Sequence, residues 1–110
     1  AEQINGALTQ VGFIIIDEQN GERTVIWKCD EKLGYTPEEV PLEFARKAKV
    51  FHATPHDAPA CAKLAKEAKK HGAIISIDID NIFEGVLEMI PLVDVFMSSR
   101  EFPEKLLGIK

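Results

Sequence analysis

Apolar residues gather in five short β-rich stretches along this chain, and between the later stretches they recur at helical spacing. The first stretch, Gln10 to Asp17, holds Val11, Phe13, Ile14, Ile15 and Ile16; after Glu18-Gln19-Asn20-Gly21 comes the second, Glu22 to Lys28. Asn-Gly between two β-rich runs predicts a hairpin, because both residues tolerate the positive φ that hairpin turns demand. In the second strand Arg23, Val25 and Trp27 share one face and Thr24, Ile26 and Lys28 the other, the mixed pattern of a partly exposed ribbon.

Beyond a polar connection, Thr36-Pro37-Glu38-Glu39 has the form of a capping box with Pro at the first helical position. The Thr36 hydroxyl can accept from the third amide while Glu39 reaches back. Pro41 limits that helix to a turn or two before Leu42 to Ala48, and Val50 to Ala53 reads as a short buried strand. Asp57 then stands as the N-cap of a helix with Pro59 in its first turn. Cys61, Leu64, Ala65 and Ala68 recur at i, i+3, i+4 and i+7, Lys63, Lys66, Lys69 and Lys70 take the solvated side, and Gly72 is the stop.

The run Ala73 to Asp80 starts straight after that stop and ends in acids. Period two puts Ile75, Ile77 and Ile79 on one face and Ile74, Ser76, Asp78 and Asp80 on the other. A helix is predicted over Ile82 to Ile90 with Ile82, Val86, Leu87 and Ile90 inward, then a strand over Val93 to Met97 ending at Ser98-Ser99. One more helix follows over Phe102 to Leu107, stopped by Gly108. Strands alternating with helices imply right-handed βαβ crossovers and an α/β fold, its parallel sheet covered on both faces and Ala73 to Asp80 its central strand. The expected organisation is an irregular lead-in over 1–9, a hairpin segment over 10–28 and a βαβ core segment over 29–110.

Composition narrows the function. With 110 residues, 45% hydrophobic and 28% charged, the chain has the makings of one modest globular core. No apolar run reaches the roughly 18 residues of a membrane span and no signal-peptide pattern opens the chain, which points to the cytosol. The net charge of -5, with lysines concentrated on one helix, argues against nucleic-acid or anionic-membrane binding as the main task. Cys29 and Cys61 have neither CxxC nor Cys/His metal spacing and read as reduced thiols.

Parallel strands bring their carboxyl ends to one edge, so Thr54 and His56, Asp78 and Asp80, and Ser98 and Ser99 should converge there. Structural roles compete at each position: Asp78 can bond loop amides, Asp80 can cap the helix near Ile82, and Ser98 or Ser99 can cap the next. His56 can be a plain loop residue, His52 a hydrogen-bonded core histidine and His71 a favourable charge near a helix end. Neither GxxxxGK nor GxGxxG occurs, nor GxSxG or HExxH, so no complete nucleotide site or known catalytic signature is visible.

Four ordered pieces resemble the middle of a PfkB-type, ribokinase-like sugar kinase. They are Phe13-Ile14-Ile15-Ile16-Asp17 with Gly21-Glu22-Arg23-Thr24-Val25-Ile26-Trp27; Val50 to Asp57; Ile75 to Asp80; and Leu92 to Phe102 leading into Leu106-Leu107-Gly108. The resemblance implies part of a three-layer αβα sandwich with a short parallel sheet, plus a β-hairpin serving as a lid over the sugar. It places Arg23, Thr54, His56 and Asp78 on the substrate side and Ser99 and Glu101 on the nucleotide and phosphate side. Where the family often has a carboxylate this chain has Thr54, and in place of an Asn-x-x-Glu sequence it has Ser99-Arg100-Glu101-Phe102.

The family's Gly-Gly sugar-binding motif and its Gly-Ala-Gly-Asp-type motif, which carries the catalytic base and anion hole, do not occur here. ATP and magnesium are thus expected in the parent enzyme, with no cofactor bound by the isolated chain, no catalytic residue in it, and no activity. The alternative from another class is a small self-standing α/β ligand-binding or interaction domain that forms a homodimer through its hairpin. A receiver-like reading with Asp78 as phosphoacceptor lacks the acidic pair and lysine such a site needs.

Overall fold

The structure is a computed structural model that describes residues 3–109; Ala1 and Glu2 of the expected lead-in and Lys110 of the expected core segment lie outside the described residues. The chain divides into two compact units, Ala1–Gly34 and Tyr35–Lys110.

In the first unit, β1 (Val11–Ile16) pairs antiparallel with β2 (Arg23–Lys28), Ile16 opposite Arg23 and Val11 opposite Lys28. The hairpin forms where the sequence predicts it, by a longer turn than Asn-Gly alone would make. The Asp17 amide donates to the Glu22 carbonyl and the Gly21 amide to the Asp17 carbonyl, each at 2.8 Å. Only Gly21 takes a positive φ, 76°. Asn20 instead uses its side chain, with Oδ1 accepting from the Glu22 amide at 2.8 Å. Beyond the ribbon, the Asp30 carboxylate accepts from the amides of Leu8 and Lys32, and those two bonds hold its pKa below the usual value. Every position of both strands is exposed.

The second unit holds a parallel sheet in the order β3 (Val50–Ala53), β4 (Ile74–Ile79), β5 (Val95–Ser98), with β4 central as expected. The helices are α1 (Leu42–Lys47), α2 (Ala58–Lys70), α3 (Val86–Met89) and α4 (Phe102–Leu107). Ile75, Ile77 and Ile79 are buried in one cluster with Ala45 of α1, Ala58, Ala62, Ala65 and Ala68 of α2, Val86 and Met89 of α3, and Phe102 of α4. Alanines on α2 let its backbone lie close to the sheet.

All four helices therefore reach the same face, which corrects the expectation of helices on both sides and of three layers. The strand order advances in one direction only, so both right-handed crossovers return on the same side. By register, the opposite face carries Val50, His52, Ile74, Ser76, Asp78, Val95 and Met97. Val50, Ile74, Val95 and Met97 are each 43% to 57% exposed. His52 is hydrogen-bonded as expected, its Nδ1 3.2 Å from Ser76 Oγ, but it lies exposed on this open face and not in a core.

Local signals held unevenly. Helix α2 ends in a Schellman arrangement: the Ala73 amide donates to the Ala68 carbonyl at 3.1 Å and the Gly72 amide to the Lys69 carbonyl at 3.0 Å, with Gly72 at φ 84°. Its N-cap position is Asp57 as expected, yet that carboxylate accepts from the Tyr35 amide at 2.8 Å and makes no cap bond. Only half of the capping box forms: the Thr36 amide and hydroxyl both donate to Glu39 Oε2, around a turn, and the helix itself starts at Leu42. The helix expected over Ile82 to Ile90 shrinks to Val86–Met89 and a 3-10 turn at Ile90–Leu92, because Gly85 at φ 81° breaks it before Val86. Val86 and Met89 point inward, while Ile82 and Leu87 are exposed.

Candidate functional site

Because β3, β4 and β5 are parallel, Thr54, Asp80 and Ser99 each follow the carboxyl end of a strand at the same edge. Contacts tie two of these ends together. The Ser99 amide donates to the Ile79 carbonyl at 2.9 Å, continuing the ladder past β5, and the Ser99 hydroxyl donates to the Asp80 carbonyl at 3.3 Å. Lys105 Nζ, on α4, donates to the same carbonyl at 3.3 Å.

His56 sits where the chain turns from β3 toward α2, its amide donating to the Thr54 carbonyl at 2.8 Å. Its ring meets Phe83 edge-on, with centroids 5.0 Å apart. Asp78 stands opposite Met97 near the end of β4, exposed on the helix-free face. Glu101 is exposed at the start of α4, above the buried Phe102. The residues expected on one edge thus come from one edge of the second unit, and Arg23 opens β2 in the first unit.

Two expected caps are corrected. Asp80 caps no helix, because none starts near Ile82: the Ile82 amide is taken by Asn81 Oδ1, and Asp80 offers its backbone carbonyl to Ser99 and Lys105. Ser99 likewise spends its hydroxyl on Asp80, and α4 has no side-chain cap. Lys105 and Phe83 escaped the sequence reading. Lys105 lies one helical turn beyond Glu101, the one spacing signal that could have found it.

The edge offers two hydroxyls, an imidazole, carboxylates and an ammonium group, a mixture that can hydrogen-bond a polyhydroxy ligand. It does not assemble a nucleophile with its base. The Ser76–His52 contact lies on the open face, where neighbouring amides belong to the sheet ladder and form no oxyanion hole. Among the described residues no three His, Cys, Asp or Glu side chains converge as a metal would need. The described residues do not by themselves make up a magnesium site. Burial, then the nearby Asp57 carboxylate, pushes the Cys61 thiol up to about 12, far from a reactive thiolate.

Among the described residues no helix is long and apolar enough to cross a membrane. In comparisons with known proteins, no family model and no curated protein matches the chain.

Proposed function

We propose that this chain is the central segment of a PfkB-type, ribokinase-like sugar kinase, whose whole cytoplasmic enzyme transfers a phosphate from ATP to a sugar hydroxyl. The observation that carries the reading is the shared edge: three parallel strands deliver Thr54 and His56, Asp78, and Ser99 and Glu101 to their carboxyl ends in the order of the resembling motifs. Such edges are where open α/β sheets bind small ligands. Thr54, His56 and Asp78 contact the sugar, Ser99 and Glu101 lie on the phosphate side, and the ribbon carrying Arg23 acts as the lid.

Phosphoryl transfer rests on positioning and on stabilising the charge of the transferring group. The base and anion hole belong to a motif this chain lacks, so the segment is inactive alone and magnesium and ATP are held with residues outside it. The test is to read the flanking coding sequence and express the whole frame. A Gly-Ala-Gly-Asp-type motif downstream, with sugar-dependent ADP release, supports the reading. Flanks without that motif, or an intact product that releases no ADP with any of a panel of sugars, overturn it.

A further inference from the structure

Two Asn-Gly pairs stand in the first unit, Asn5-Gly6 and Asn20-Gly21, and all four residues are exposed. A glycine leaves the amide that follows an asparagine unshielded, so that amide nitrogen can attack the side-chain carbonyl carbon; asparagine is thermally labile for this reason. The dipeptide is the same at both places, and the hydrogen bonds around it decide where the attack can happen.

At Asn5 the chain makes a turn closed by one bond, the Ala7 amide donating to the Ile4 carbonyl at 3.3 Å. Gly6 takes φ 75° and Asn5 takes no positive φ, as a type II turn requires. The peptide between the two central residues of such a turn points its N–H outward. Among the described residues nothing accepts from the Gly6 amide and nothing bonds the Asn5 side chain, while the Gly6 carbonyl receives Lys32 Nζ at 3.2 Å. At Asn20 the corresponding atoms are held. The Gly21 amide donates to the Asp17 carbonyl and Asn20 Oδ1 accepts from the Glu22 amide, each at 2.8 Å. Attack there requires the Gly21 nitrogen to leave its acceptor and the Asn20 side chain to leave its donor.

We infer that Asn5 is a site of spontaneous deamidation, its side chain closing on the Gly6 nitrogen to a succinimide that water opens, while the folded hairpin protects Asn20. The Gly6 nitrogen loses its proton to solvent base and bonds to Asn5 Cγ. The Cγ–Nδ2 bond breaks, and Nδ2 leaves as ammonia, taking up the equivalent proton from water. Water then adds at one of the two ring carbonyls and opens the ring, to aspartate one way and to isoaspartate the other. One water is consumed and one ammonia released, with no change of oxidation state. Each conversion adds one negative charge to a chain at -5. Isoaspartate also adds a methylene to the main chain inside the Ile4 to Ala7 turn, which displaces the Gly6 carbonyl from Lys32. The Leu8 amide stays on Asp30 Oδ2, 3.0 Å away, so the lead-in keeps its second tie. The inference does not rest on the kinase reading.

Incubation of the full chain in mildly alkaline buffer tests it, with cleavage after Glu18 placing the two asparagines on separate peptides for mass spectrometry. In the folded chain Asn5 should convert about tenfold faster than Asn20 or more, from the two short bonds that hold the hairpin pair. In concentrated urea, with the hairpin melted, the two rates should agree. Asn5→Gln should remove the main acidic species that forms on storage, and Asn20→Gln should leave it. Equal rates in the folded chain overturn the inference. So does an Asn5 that stays intact over a period in which the urea-unfolded chain converts both.

Discussion

Asp94 holds Ile75 by both polar groups of its backbone: the Asp94 amide donates to the Ile75 carbonyl at 2.8 Å, and Asp94 Oδ2 accepts from the Ile75 amide at 2.9 Å. Its other oxygen receives Lys69 Nζ at 2.9 Å. One side chain thus closes the ladder between β4 and the entry to β5 and ties both to the last turn of α2. The sequence reading placed Asp94 inside the final strand, yet β5 begins at Val95 and Asp94 serves as its anchor.

The Ile75 amide first, and then Lys69, hold the Asp94 carboxyl below its ordinary pKa. A carboxylate whose folded pKa is depressed contributes stability above its unfolded pKa of about 3.9, lost as pH falls through the folded value. Asp94→Asn should therefore lower the urea midpoint at neutral pH and flatten the acid limb of the midpoint-against-pH curve below about pH 4. Identical acid limbs in the two proteins would show that the carboxylate carries no such linkage.

One-sided coverage of the sheet makes neighbouring isoleucines unequal. Ile77 is fully buried among the helices and Ile74 is 51% exposed on the other face. Ile77→Ala should cost about 2–5 kcal/mol in urea unfolding, and Ile74→Ala should stay near about 0.5 kcal/mol. Comparable losses at both positions would mean that the second face is covered in solution.

Gly72 and Gly85 both take a positive φ, but only one has a close neighbour. A Cβ on Gly72 would meet nothing within 4 Å, whereas on Gly85 it would stand 3.1 Å from Pro59 Cγ in the first turn of α2. Gly72→Ala should cost about 1–2 kcal/mol for the backbone conformation alone. Gly85→Ala should cost about 1 kcal/mol or more beyond that, as α2 and α3 are pushed apart. Equal thermal midpoints for the two variants would argue against the Pro59 contact.

The two cysteines should separate cleanly in a thiol titration. Cys29 is exposed, while Cys61 is partly buried with its pKa raised to about 12. At pH 8 the native chain should release one equivalent of chromophore rapidly and the second only on unfolding, with Cys29→Ser abolishing the rapid phase. Two rapid equivalents would show that α2 opens readily at its first turns.

The sequence by itself determined the local elements whose signals are self-contained. The Gly21 turn, the Gly72 and Gly108 stops and the alternation of Ile75, Ile77 and Ile79 each follow from a backbone preference or a side-chain period within a few residues. It also determined which polar residues lie at the strand ends, since parallel strands share an edge once their order is known. Only the tertiary structure decided which face of the sheet the helices cover, where α3 begins, and what Asp57, Asp80 and Asp94 bond. Strand order sets the side on which a crossover returns, and a carboxylate with several amides within reach takes whichever one packing brings to it, so neither outcome is contained in any local pattern.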